Sequence, residues 1–196
     1  MSGHVNEMIT PPDQPRAWPE GWGDTSIFSP SELRTIFGSF LTGVTVIATR
    51  DTSGQALAFT ANSFTSVSIE PPLVLFCLRK AAFSYEAFIS SKSFAVSVLC
   101  DSQKDISLLF STPAKKSEAI FQKALPQDWP PIIAGCLSAI VCRRRNVFDG
   151  GDHSIVLGEV LHARSEHGDP LGYFRGAFTQ IGLPSSSLAM LRGDAQ

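Results

Sequence analysis

The sequence is short of charge: only 17% of its 196 residues are Asp, Glu, Lys or Arg, against 43% hydrophobic. Disordered chains have the opposite balance, so the composition predicts a globular protein with a real core. The net charge is only −2 and the pI is near 6.1. Non-specific nucleic-acid binding needs concentrated positive charge, and Arg143-Arg144-Arg145 is the one basic triplet. A solvated strand edge accounts for it better than a polyanion site. Apolar runs such as Leu73–Leu78 are far too short to span a membrane. The first twenty residues contain Pro, Asp, Glu and Arg but lack the apolar core of a secretory signal. Cys77, Cys100, Cys136 and Cys142 form no C-x-x-C, and each lies in or beside an apolar run. Buried, reduced thiols and a cytoplasmic home are the expectation.

Several motifs are also missing. No G-x-G-x-x-G follows a strand, and no G-x-x-x-x-G-K-[ST] loop or G-x-S-x-G elbow occurs. Standard nucleotide cradles and acyl-transfer serines are thereby excluded. His153, His162 and His167 lack ligand spacing and no carboxylate pattern completes them, so no metal site is expected.

Residues 1–27 are rich in Pro, Gly and Trp and show no periodicity, which predicts an irregular extension. A single domain is expected over 28–184, with a frayed tail over 185–196. Ser29 and Glu32 have capping-box spacing, with Pro30 at the first helical position. Leu33, Ile36, Phe37, Phe40 and Leu41 then share one helical face. Short β-branched or aromatic runs follow at Val44–Thr49, Ala56–Thr60, Ser63–Ile69, Leu73–Leu78 and Phe94–Leu99, and further strands are expected at Leu137–Arg143, Ser154–Leu161 and Phe178–Ile181. Short helices are expected at Ser84–Ser90, Ser102–Phe110 and Ser117–Ala124. The first four strands leave no room for helical crossovers, so the sheet is antiparallel and the fold mainly β, a barrel or sandwich.

Two segments carry candidate chemistry. Thr60-Ala61-Asn62-Ser63-Phe64-Thr65-Ser66 crowds short hydroxyl and amide groups onto a strand that enters an apolar region. It reads equally well as a half-solvated strand or as the wall of a site for a planar heteroaromatic ring. Asp149-Gly150-Gly151-Asp152-His153 is a turn that sets His153 at the mouth of a strand. A histidine there is well placed for function. Gly158 weakens its strand unless a bulge or a ligand needs the space.

These segments, with Thr42-Gly43-Val44, Pro71-Pro72, Gly158-Glu159-Val160 and Pro170-Leu171-Gly172-Tyr173-Phe174-Arg175-Gly176, resemble the flavin reductase-like family over roughly residues 30 to 182. More narrowly, they resemble the small reductase components of two-component flavin-dependent monooxygenases. The resemblance implies a split antiparallel β-barrel that forms a homodimer, with FAD or FMN near the subunit interface and NADH, or NADPH, as reductant. It places Thr60, Ala61, Asn62, Ser63 and Ser66 along the flavin. Arg79, Phe83 and Ser84 fall near its phosphate, helped by the amides of the helix that starts there. Asp152 and His153 belong to the cofactor site, with His153 beside the nicotinamide as the catalytic candidate and Tyr173 as a second residue there. A separate monooxygenase would receive the reduced flavin, with no nucleic acid or membrane involved. The alternative is a flavin-binding carrier or redox sensor without catalysis on the same fold. Related split barrels that hold haem or pyridoxal, and a purely structural dimer, are further rivals.

Overall fold

The computed structural model describes residues 28–112, 120–121 and 129–181. The chain divides into two compact units, residues 1–37 and 38–196. The described part of the first contains helix α1 (Pro30–Phe37). Its capping box is formed: Glu32 N–H donates to Ser29 Oγ at 3.3 Å, and Ser29 N–H donates to Glu32 Oε2 at 2.8 Å. The helix stops at Phe37, so Phe40 and Leu41 keep the helical spacing but lie beyond it. The turn at Gly38 and Ser39 ends the run that periodicity alone extends.

In the second unit the strands are β1 (Thr42–Gly43), β2 (Thr45–Arg50), β3 (Ala56–Ala61), β4 (Thr65–Ser68), β5 (Leu73–Arg79), β6 (Ser93–Val98), β7 (Ser138–Gly150), β8 (His153–Ser165), β9 (Leu171–Phe174) and β10 (Ala177–Gln180). Helices α2 (Tyr85–Ser90) and α3 (Lys104–Ser111) interrupt them. Seven strands form one antiparallel sheet in the order β3-β2-β6-β7-β8-β5-β4, and β1-β9-β10 form a second.

A flat sheet of that size would hold its edge strands about 29 Å apart. Yet β3 and β4 are its two edges, and Asn62-Ser63-Phe64 alone joins them. Four Cα steps reach at most about 15 Å. The sheet must therefore roll until β3 and β4 approach without pairing, which makes a mainly β, split barrel as expected.

Burial follows from this curl. Strands β2 and β6 are covered on both faces, whereas β5 and β8 alternate between buried and half-buried. Inside, Phe59, Phe76, Phe88 and Phe94 meet edge to face or tilted at centroid separations of 5.0 to 5.9 Å. A Cβ on Gly158 would lie 2.3 Å from Phe94 Cζ. The bare position in β8 is thus required by the core, not by a ligand.

Three sequence expectations need correction. Strands β7 and β8 are thirteen residues each, well beyond the expected 137–143 and 154–161. Polar Arg143–Asn146 and Asp149 sit within the ribbon, and irregular register at Val141/Cys142 and Arg144/Asn146 breaks the alternation that would reveal it. The run Ser63–Ile69 yields a strand only over Thr65–Ser68, because the barrel turns its corner before it. Strand β9 was not anticipated. The helix expected at Ser117–Ala124 falls outside the described residues except for Ile120 and Phe121, as do the extension 1–27 and the tail 185–196. Of the cysteines, Cys136 and Cys142 are buried, but Cys77 and Cys100 are only partly so. Burial pushes the Cys142 thiol up to about 12. Among the described residues no helix is long and apolar enough to cross a membrane.

Candidate functional site

The tip of the β7–β8 ribbon is a two-residue turn, Gly151-Asp152, closed by pairing of Gly150 with His153. Such a turn needs positive φ at its first position, and Gly151 supplies φ +77°. His153 therefore opens β8, where it pairs across to Arg79 at the end of β5. Its Nδ1 lies 2.7 Å from Asp152 Oδ1. That hydrogen bond, then the charge interaction with the same ring, holds the Asp152 carboxyl below its ordinary range. Next to it Lys80 hydrogen-bonds Asp149, which lowers the Asp149 pKa and raises that of Lys80.

Ser63 is fixed to the same region. Its hydroxyl accepts from Cys77 N–H at 3.0 Å and donates to Cys77 C=O at 3.2 Å. Cys77 is two residues before Arg79 on β5, so the crossing that carries exposed Asn62 is pinned near Arg79 and His153. Ser66 stands exposed on β4, opposite Val74. Beyond Arg79 the chain passes Phe83, 81% exposed, to buried Ser84 at the start of α2. Helix α2 has six residues and carries Glu86 in its first turn, which works against an anion there. Arg79 is the stronger attraction for a phosphate. The half-buried outer residues Leu73, Leu75, Cys77, Ile155 and Leu157 add an apolar surface beside these polar groups.

With this geometry in place, the comparisons decide the family. Residues 37–182 match the model of the flavin reductase like domain. The chain belongs to the flavin reductase-like family. It is 39% identical over 152 residues to the stachydrine N-demethylase reductase subunit Stc3 of Rhizobium meliloti (strain 1021), covering 78% of this chain and 66% of that one. It is 41% identical over 147 residues to the reductase component of the flavin-dependent trigonelline monooxygenase of Acinetobacter baylyi, covering 75% of this chain and 47% of that one. The chain thus spans about half to two thirds of the length of these relatives. Among solved structures it is similar to the NADH:FAD oxidoreductase SgcE6 of Streptomyces globisporus C-1027 in complex with NAD and FAD fragments. There the TM-score is 0.73 at 33% identity, over 79% of this chain and 93% of that one.

Not every expected site residue of this flavin reductase-like chain joins the cluster. Thr60 Oγ1 donates to the Ser107 carbonyl of α3 at 2.6 Å. Ala61 is buried and its carbonyl accepts from Thr45 Oγ1 at 2.8 Å. Both residues shape the wall leading into the crossing. Tyr173 lies in the smaller sheet, paired with Thr42 and packed edge-on against Phe178 at 5.4 Å. Among the described residues no strand pairing or hydrogen bond ties it to His153.

The structure also supplies groups that the sequence did not flag. Lys80 and the Cys77 backbone belong to the cluster only through the β5–β8 register, which no local pattern encodes. The arginine triplet is tied down. Arg143 Nε and Arg145 Nε lie 3.6 Å and 3.3 Å from Glu159 Oε2, and Arg144 Nε donates to Ser91 C=O at 2.7 Å. That favours a structural role over a polyanion site. Likewise His162 stacks on Trp129 at 4.7 Å, an ordinary packing contact. A separate cleft of about 580 Å³ is lined by Ala134, Gly135, Arg164 and Glu166. Arg164 is bound to Glu166 at 2.9 Å, and no expected site residue lines the cleft.

Proposed function

We propose that this chain is an NAD(P)H:flavin oxidoreductase that reduces FAD or FMN and hands the reduced flavin to a separate monooxygenase. The observation that carries the reading is the convergence of the Asn62-Ser63 crossing, Arg79 and the Asp152-His153 turn at one end of β5 and β8, in a chain of this family. The relatives support it: two bear the names of reductase subunits or components, and the similar solved structure holds NAD and FAD fragments.

The residues present suit a flavin. Leu75, Ile155 and Leu157 offer an apolar floor for a planar ring, Asn62 offers an exposed polar group at its edge, and Arg79 offers a cation for its phosphate. When bound, the flavin supplies the hydride-accepting chemistry. Thr60 and Ser63 act through the backbone they hold, since their hydroxyls already bond main-chain groups. His153 positions the nicotinamide by a hydrogen bond and need not exchange a proton. NADH is the expected reductant, the cytoplasm the expected place, and a homodimer the expected assembly. Covering the half-buried outer face of β5 and β8 with a second copy would remove apolar surface from water and enclose the flavin.

Anaerobic mixing tests the reaction itself. Added FAD or FMN should lose its yellow absorbance in the presence of NADH and protein together, and in neither alone. Flavin that binds but stays oxidised would instead make the chain a carrier or sensor.

A further inference from the structure

Asp152 need not touch a cofactor to matter. An ionised carboxylate can only accept hydrogen bonds. Its oxygen is 2.7 Å from His153 Nδ1, so Nδ1 is the donating nitrogen, and in the neutral ring Nε2 is left as a bare acceptor. We propose that Asp152 is a positioning residue that fixes this tautomer, and that the resulting Nε2 acceptor selects a nicotinamide carrying a carboxamide over one carrying a carboxylate. The proposal rests on the reading of His153 as the nicotinamide contact.

The surroundings leave Asp152 to this task alone. Asp149, the other carboxylate of the turn, is occupied on both oxygens: Oδ1 meets Lys80, and Oδ2 accepts from Gly151 N–H at 3.4 Å. Lys80 N–H also donates to Asp152 C=O at 3.0 Å, which anchors the turn against β5. Arg79 pairs across from His153, and its charge favours the ionised form of Asp152. Tyr85 at the start of α2 is the remaining titratable neighbour, acting on Lys80 and bonded through its hydroxyl to Ser154 at 2.8 Å. Backbone pairing on both sides of His153, to Arg79 and to Gly150, holds the ring's base in place.

The selectivity follows from donor and acceptor count. A carboxamide NH₂ donates to a bare Nε2. A carboxylate in the same place brings only lone pairs, and a site built to receive a donor rejects an analogue that lacks one. Removing Asp152 frees the ring to place its proton on Nε2, which can then donate to the carboxylate.

The test compares kcat/KM for NADH with that for its carboxylate analogue, reduced nicotinic acid adenine dinucleotide. The proteins are the full chain and its Asp152→Ala, Asp152→Asn and His153→Ala variants. The native protein should prefer NADH by about ten- to a hundredfold, the worth of one such hydrogen bond. Asp152→Ala should shrink that ratio about tenfold, the factor one hydrogen bond to a charged group is worth. Asp152→Asn keeps an oxygen that accepts from Nδ1–H and should retain most of the preference. Nitrogen-15 NMR of the ring gives a readout free of turnover, with Nδ1 protonated in the native protein and the tautomer shifted in Asp152→Ala. An unchanged ratio and tautomer in Asp152→Ala, with the ratio lost in His153→Ala, would overturn the role of Asp152 alone. Unchanged NADH kinetics in His153→Ala would overturn the reading beneath it.

Discussion

Gly158 shows how a single residue serves the core while standing next to candidate chemistry. Its missing side chain makes room for Phe94, which packs edge to face on Phe76 at the centre of the aromatic cluster. Added carbon has nowhere to go: Phe94 Cζ would be 2.3 Å away and Cys142 Cβ 3.1 Å. Gly158→Ala should therefore destabilise the protein by about 1–3 kcal/mol, an overpacking cost. A fall in Tm, largely reversed by adding Phe94→Leu, would confirm the cause in thermal melts. No sequence pattern says whether a strand glycine makes space for a ligand or for a ring across the core. Ser29 and Glu32 were legible because a capping box is local, whereas the partners of Thr60 and Ser63 were not. Those hydroxyls bond Ser107 and Cys77, contacts set by how distant segments meet.

Among the elements, the β7–β8 ribbon presents the Asp152-His153 end of the candidate site and was the least legible. Its polar residues face outward along a curved sheet, where charge costs little, so composition hides a thirteen-residue strand. What the sequence did reveal was the turn, because Gly151 and its neighbours encode it locally. The ribbon also fixes a pH response. Asp149 and Asp152 are held below their ordinary values by Lys80 and His153, so their contribution is present above the unfolded-state value of about 3.8. It disappears as pH falls through the lower native values. Cys142 on β7 works in the opposite direction. Its neutral thiol is favoured by burial, which raises its pKa from 9.0 to about 12, so stability is unaffected below pH 9 and declines as pH rises between those values. Denaturant midpoints across pH should fall at the alkaline end in the native protein, and less steeply in Cys142→Ala. Equal slopes in both would contradict the assignment to this thiol.

For the molecule as a whole, strand lengths and turns made the antiparallel barrel class readable, whereas its split was expected only from the family resemblance. Short strands with tight turns imply an antiparallel closure, but the gap between β3 and β4 depends on a three-residue crossing that looked like part of a strand. The same curl leaves the outer faces of β5 and β8 apolar and only half-buried. If a second copy covers that face, Leu157→Arg should yield a monomer in sedimentation and weaken flavin binding more than tenfold, since the floor of the site would open to water. A dimer that persists with full flavin affinity would move the interface elsewhere. On the proposed reading, pairing reductant with flavin would depend on all three scales: Asp152 and His153, the ribbon that presents them, and the barrel that brings β5 to β8.

The most direct test of that account is NADH consumption by the purified protein, with FAD, FMN or no flavin added. Oxidation that requires added flavin, and shows a preference between the two, is the predicted result. No oxidation with either flavin, and none when NADPH replaces NADH, would contradict a reductase and leave a flavin-binding module on a reductase fold.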